Sequence, residues 1–245
     1  MADASAGGDR PNVVLCMTDD QGYGDAGYAG HPHLQTPTMD RMAREGVEFE
    51  RFYAAAPVCS PTRGSCLTGR HPFRYGIFHA NEGHLPERET TLAEILRREG
   101  YATGHFGKWH LGTLTEVVRD SNRGGIRGAD HYAPPWERGF EECFSTEASL
   151  PTWDPMVTPD IAADHGWVDQ ERVGDSYGTY YWTGPGRGAT DDLDGCDSRV
   201  LMDRALSFIR SAAAEDRPFF AVVWFHAPHT PVVAGRDYRE LYPDR

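Results

Sequence analysis

Nothing in this sequence is long and apolar enough to cross a bilayer as a helix, so no membrane span is expected. Residues 1–10 lack both the basic n-region and the apolar core of a secretory signal, and they read as a flexible tail. Cysteine is scarce. Cys16, Cys59, Cys66, Cys143 and Cys196 make an odd set of five with no framework spacing, which excludes a disulfide-stapled scaffold. A reduced, cytoplasmic chain is the default expectation, and a periplasmic or secreted one if a leader has been removed. Positive charge is short as well. With 24 Lys+Arg against 37 Asp+Glu the net charge is −13, which argues against nucleic acid or an anionic membrane as partner. An anionic substrate would need a locally basic pocket inside that acidic surface.

What remains is an ordinary soluble composition, 39% apolar and 25% charged, over 245 residues. That length gives one large domain or two small ones a substantial core. Residues 11–17 are apolar on both faces, as a buried parallel strand is. They lead into Asp19 and Asp20, and then Gly22-Tyr23-Gly24-Asp25. Paired carboxylates at the C-terminal end of a parallel strand lie where open α/β sheets place ligands. Their hard oxygens suit Ca²⁺ or Mg²⁺. An Asx turn closing the strand accounts for the same pair.

The chain is organised around Cys59-Ser60-Pro61-Thr62-Arg63, followed by Gly69-Arg70. Pro61 fits a helix's first turn and Ser60 or Thr62 can cap it, which sets Cys59 just ahead of the N-terminus and Arg63 about a turn inside. Free N–H groups, the positive dipole end and a guanidinium then converge where a tetrahedral anion would sit. An ordinary loop-to-helix junction has the same residues, and physics alone does not separate the two. In residues 101–112 a strand runs into a glycine-hinged loop. Alternation across Trp109 can turn Lys108 and His110 the same way, so that an ammonium and an imidazole converge on one site. A snorkelling lysine beside a structural histidine is the plainer alternative.

The remaining segments read as alternating elements. A helix opens at Pro37 and stops at Gly46, residues 47–54 form a second strand, and a helix covers 91–99. Residues 199–213 form an amphipathic helix, and 218–225 a strand that is again buried on both faces. This last strand delivers His226-Ala227-Pro228-His229-Thr230-Pro231. The order predicts a layered α/β domain. Periodicity fades over 114–197, an irregular excursion over the active-site edge of the sheet. Its aromatics suit stacking on sugar rings and loop packing equally. Asp191-Asp192-Leu193-Asp194 lacks EF-hand spacing and reads as a solvated turn.

These residues resemble the type I, formylglycine-dependent sulfatases of the alkaline-phosphatase-like superfamily. The likeness rests on Cys-x-Pro-Thr-Arg with Gly69-Arg70, and on Asn12 and Gly-Tyr-Gly-Asp flanking Asp19-Asp20. It rests further on the string over 100–112 and on Ala-Pro-His-x-Pro at His229. The resemblance implies a mainly parallel sheet flanked by helices. It implies that a formylglycine-generating or equivalent maturation enzyme oxidises Cys59 and that the aldehyde hydrate is the nucleophile. Asp19, Asp20 and the modified Cys59 would bind the metal, Ca²⁺ ahead of Mg²⁺. Arg63 would fix the formylglycine, Lys108 and His229 would hold the sulfate, and His110 would hydrogen-bond the formylglycine hydroxyl. The implied activity is hydrolysis of a sulfate ester of a carbohydrate or aryl alcohol.

Two features of the family have no match here: a later strand ending in Asp-Asn, and a later lysine near the leaving group. Residues 11–245 therefore match the N-terminal part of the catalytic domain, about half of it, and the expectation is a fragment or a half-domain completed elsewhere. Two alternatives stay open. One is a phosphate or phosphonate monoester hydrolase of the same superfamily. The other is an inactive fragment that binds metal weakly.

Overall fold

The computed structural model describes residues 10–121, 123–161 and 170–243. The expected tail over residues 1–9 lies outside the described residues. Four strands of the sheet run parallel: Val13–Met17 (β1), Ala102–Lys108 (β2), Glu142–Thr146 (β3) and Phe219–Trp224 (β6). Trp182–Gly184 (β4) and Arg187–Gly188 (β5) add an antiparallel hairpin, and the order is β1-β6-β2-β3-β4-β5.

Period-two alternation in β6 explains why both faces are covered. Phe220, Val222 and Trp224 pack with Leu67, Tyr75, Trp109 and Phe140, while Phe219, Ala221 and Val223 pack with Phe106, Leu201, Ala205 and Phe208. The second face is closed by Asp197–Ala214 (α5), whose apolar stripe matches the predicted amphipathic helix. The first face carries Cys59–Thr68 (α2), Pro72–Tyr75 (α3) and Leu92–Arg98 (α4). The last of these starts on a capping box, in which Thr91 Oγ1 accepts from Glu94 N and Glu94 accepts from Thr91 N. Pro37–Glu45 (α1) begins at its proline as expected and buries no residue.

Three expectations are corrected. Strand β1 is not covered on both faces: it is an edge strand, and Val14 and Cys16 are exposed. Residues 47–54 form no strand, because a strand needs a hydrogen-bonded neighbour and none lies beside them among the described residues. Phe49 and Phe52 there are exposed and lie 5.9 Å apart, tilted against each other. Within 114–197 the chain is not wholly irregular, since it contributes β3 in register with β2 as well as the β4–β5 hairpin. Among the described residues no helix is long and apolar enough to cross a membrane.

Candidate active site

The carboxyl ends of β1, β6, β2 and β3 open at one edge of the sheet, where such folds bind ligands. Asp19 follows β1 and is tied to the end of β6 by its backbone N–H, which donates to the Ala227 carbonyl at 3.1 Å. Lys108 is the last residue of β2 and is brought there by Gly107. That glycine has φ +106, and a Cβ on it would stand 1.9 Å from the Trp224 carbonyl oxygen, so no other residue fits. Helix α2 delivers Cys59 at its own first position rather than ahead of the helix. Its N-cap is Val58, with no side-chain cap. The predicted caps are spent otherwise: Thr62 Oγ1 donates back to Ala56 O, and Ser60 Oγ is buried with no partner among the described residues.

Lys108 Nζ lies 2.6 Å from Asp19 Oδ2, 3.4 Å from Cys59 Sγ and 3.0 Å from Ser149 Oγ. Arg63 Nη2 reaches the same Asp19 oxygen at 3.3 Å, its Nη1 donates to the Lys108 carbonyl at 2.9 Å, and its guanidinium lies over the Trp224 ring at 5.0 Å. Ser149 is also 3.3 Å from His229 Nε2. The sequence holds a single lysine, Lys108, and the fold buries it completely in this cluster.

The two histidines of the His226–Pro231 stretch separate in the fold. His229 stands at the site, whereas His226 is fully buried behind it, between Asp197 Oδ2 at 2.9 Å and Thr146 Oγ1 at 2.7 Å. His110 departs from expectation. Its φ of +54 breaks the alternation meant to align it with Lys108, and no hydrogen bond joins it to Cys59 among the described residues. Instead its Nε2 lies 2.5 Å from Asn81 Oδ1. Ser149 and Asn81 are the two contacts that sequence reasoning missed. Both lie in loops with neither periodicity nor motif. Tyr181 and Trp182, candidates for sugar stacking, are buried and donate to Asp197 and Asp120. Asp191 forms the expected exposed turn, paired with Arg204.

Burial would raise the Asp19 carboxyl, but Arg63, Lys108 and the Lys108 hydrogen bond outweigh it and hold the group below its ordinary value. Cys59 goes the other way. Burial raises its thiol, and the Asp19 and Asp20 carboxylates offset much of the pull from Lys108 and Arg63, so it ends above its ordinary value. An unmodified Cys59 is therefore a neutral thiol at pH 7 and a poor nucleophile.

Ligand atoms of Asp19, Cys59 and His229 lie within 4.8 Å of one another, the one such group among the described residues. Asp20 is exposed and approaches His229 Nε2 at 3.5 Å, so it borders this group rather than joining it. Two neighbouring carboxylates at the mouth of the site fit a hard divalent cation in donor chemistry.

Glu147, between β3 and Ser149, is fully buried, and neither carboxylate oxygen has a hydrogen-bond partner among the described residues. Arg123 Nε stands 3.6 Å away, too far for a hydrogen bond. Burial, reinforced by the Asp120 carboxylate and only partly opposed by Arg123, raises Glu147 to about 8. The folded state then holds a proton that the unfolded state releases above its ordinary carboxyl range. Stability contributed by the neutral acid is complete below that range and is lost as pH rises toward 8. Across this window the slope is roughly 1.4 kcal/mol per pH unit. Denaturant melts of Glu147→Gln from pH 5 to pH 9 should lack this slope.

Cationic groups and a helix N-terminus ring one side chain at the carboxyl edge of the parallel strands, on an alkaline-phosphatase-like fold. The Sulfatase family pattern matches residues 11–245. The chain is 34% identical over 241 residues to N-acetylgalactosamine-6-sulfatase of Canis lupus familiaris, covering 93% of this chain and 41% of that protein. It is 33% identical over 243 residues to arylsulfatase A of Homo sapiens, covering 94% and 43%. Among solved structures it resembles Ps i-CgsB with a TM-score of 0.72 and 26% identity, over 95% of this chain and 48% of that one. This chain belongs to the sulfatase family. It spans less than half the length of these curated relatives, whose family generally uses formylglycine and a divalent metal.

Proposed function

We propose that this chain carries the nucleophile side of a sulfuric ester hydrolase that cleaves sulfate esters of a carbohydrate or an aryl alcohol, with Cys59 converted to formylglycine by a maturation enzyme. One observation carries this function: a single buried ammonium, Lys108 Nζ, touches Asp19, Cys59 and Ser149 at once. The names of the curated relatives, both of them sulfatases, support it.

Residue 59 sits at the positive end of a ten-residue helix, with Arg63 and Lys108 against Asp19 beside it. Positive groups fixed in a water-poor site stabilise negative charge spreading over sulfate oxygens, usually the largest catalytic term. Lys108 holds the Cys59 side chain by a direct contact and is itself oriented by Asp19 and Ser149. Arg63 is anchored on the Lys108 carbonyl and on Trp224, so it cannot swing away. Ser149 joins Lys108 to His229, and on this reading these two residues would hold the sulfate. Formylglycine would supply an aldehyde hydrate with two hydroxyls, one to attack sulfur and one to release the sulfate. A plain thiol has no second hydroxyl for that release. Asp19 and Asp20 would hold the metal, for which we favour Ca²⁺, and bound there it would supply Lewis acidity toward a sulfate oxygen.

Paired rates on an aryl sulfate and the matching aryl phosphate test the assignment. Sulfate turnover exceeding phosphate turnover is expected. A strong phosphate preference would move the chain to the phosphate and phosphonate monoester hydrolases.

A further inference from the structure

His110 reaches its place in an unusual way, and the loop residue Asn81 explains how it is held. His110 is buried, with 4% of its surface exposed, and its backbone N–H donates to the Glu147 carbonyl at 3.0 Å. Its Nε2 faces Asn81 Oδ1 at 2.5 Å. An amide oxygen only accepts, so Nε2 must carry the proton. Its Nδ1 is buried with no partner among the described residues. An imidazole that gives Nε2–H to one neighbour presents a bare lone pair at Nδ1, unless it takes a second proton. Burial, with the cations Lys108, Arg123 and Arg63 around it, drives His110 far below its ordinary value, so the ring stays neutral.

We infer that Asn81 is a positioning residue that fixes His110 in the Nε2–H tautomer, leaving Nδ1 as a buried acceptor for a hydroxyl group bound in the active site. A buried acceptor left unpaired is costly, and the His110 ring lies close enough to Lys108 and Arg63 of the cradle for their charges to act on it. Asn81 itself is well suited to the task. It stands in a turn at φ +64, a conformation that asparagine tolerates better than most residues, and it is exposed while its amide oxygen reaches inward. The tautomer follows from this geometry alone. Its catalytic consequence rests on the sulfatase assignment: a hydroxyl at residue 59 would find an acceptor, and the wrong tautomer would meet it with a second donor.

Long-range proton–nitrogen NMR of histidine-labelled protein reads the tautomer directly, with the His110→Gln spectrum identifying the resonances. Wild-type protein should show His110 protonated at Nε2 and bare at Nδ1. Asn81→Gly removes the amide while accepting the positive φ without strain, and it should bring in the Nδ1–H form. Asn81→Asp keeps an acceptor oxygen and should retain the wild-type pattern. An Nδ1–H signal in wild type, or an Asn81→Gly spectrum unchanged from it, overturns the inference. So does an Asn81→Asp protein that loses the Nε2–H form, since the amide NH₂ would then have been the group facing the ring.

Kinetics add a second arm. On a sulfate ester, Asn81→Gly should lower kcat on the order of 10- to 100-fold, with KM little changed and Asn81→Asp close to wild type. Absence of any sulfatase turnover in wild type would count against the proposed function, while the spectrum would still decide the tautomer.

Discussion

Replacing Lys108 by methionine should destabilise the fold by about 3–5 kcal/mol and reduce sulfate-ester turnover by at least about 10²-fold. The stability effect comes from Asp19, and the activity effect from the lost ammonium beside residue 59. With its side chain 4% exposed, this carboxylate is compensated by Lys108 at 2.6 Å and Arg63 at 3.3 Å. Removing the closer cation leaves a buried negative charge held by one longer contact, and such orphaned charges are far more costly than intact pairs are stabilising. The two consequences separate in the double variant Lys108→Met/Asp19→Asn. Neutralising both partners should recover most of the lost stability and none of the activity. Urea midpoints for the wild type, the two single variants and the double variant measure the coupling. Additive losses would show that Lys108 and Asp19 do not act as a pair.

Cys59→Ala is expected to behave in the opposite way, with activity lost and stability kept. The side chain is half-buried, and its polar contacts are long, 3.5 Å to Asp19 Oδ1 and 3.4 Å from Lys108 Nζ. Truncation should therefore cost only about 1 kcal/mol. Turnover, in contrast, should fall by about four to six orders of magnitude, as it does when a nucleophile is removed from a site that otherwise stays assembled. The Lys108, Asp19, Arg63 and His229 cluster remains in this variant, so sulfate should still bind as an inhibitor of the wild type would. A variant retaining even a hundredth of wild-type turnover would place the nucleophile elsewhere.

Much of the fold is legible where side-chain burial is regular. Residues 219–224 and 102–108 show it because both faces of these strands are covered, and α5 shows it because one stripe of it is. The limits are equally physical. Residues 13–17 look doubly buried by composition, yet in this chain they form an edge, which is a property of the neighbours and not of the segment. Residues 47–54 carry strand-forming side chains, but the described residues offer them no ladder. Strand β3 was hidden because Glu142-Cys143-Phe144-Ser145-Thr146 has too few apolar residues to announce a central position.

The site divides along the same line. Asp19, Cys59, Arg63, Lys108 and His229 stand in short motifs at the ends of strands or the start of a helix, and the fold brings them together. Asp20 and His110 stand in equally clear motifs but face other partners, His229 and Asn81, because positive φ values of 58 and 54 turn the backbone at those positions. Ser149 and Asn81 belong to loops whose contacts span 41 and 29 residues of sequence, beyond the reach of any local pattern.

The central claim is that a tight cationic cradle surrounds a residue 59 that works as an aldehyde hydrate, never as a thiol. Mass spectrometry of the tryptic peptide from Phe52 to Arg63, in which Cys59 is the one cysteine, tests it most directly when turnover is measured on the same preparations. Conversion lowers the peptide mass by about 18 Da as sulfur and two hydrogens leave and one oxygen enters, whereas the thiol oxidation ladder adds about 16 Da per oxygen. Turnover should rise in proportion to the fraction of peptide that has lost mass, and extrapolate to zero where none has. Full turnover from a preparation whose residue 59 is an intact thiol would contradict the claim.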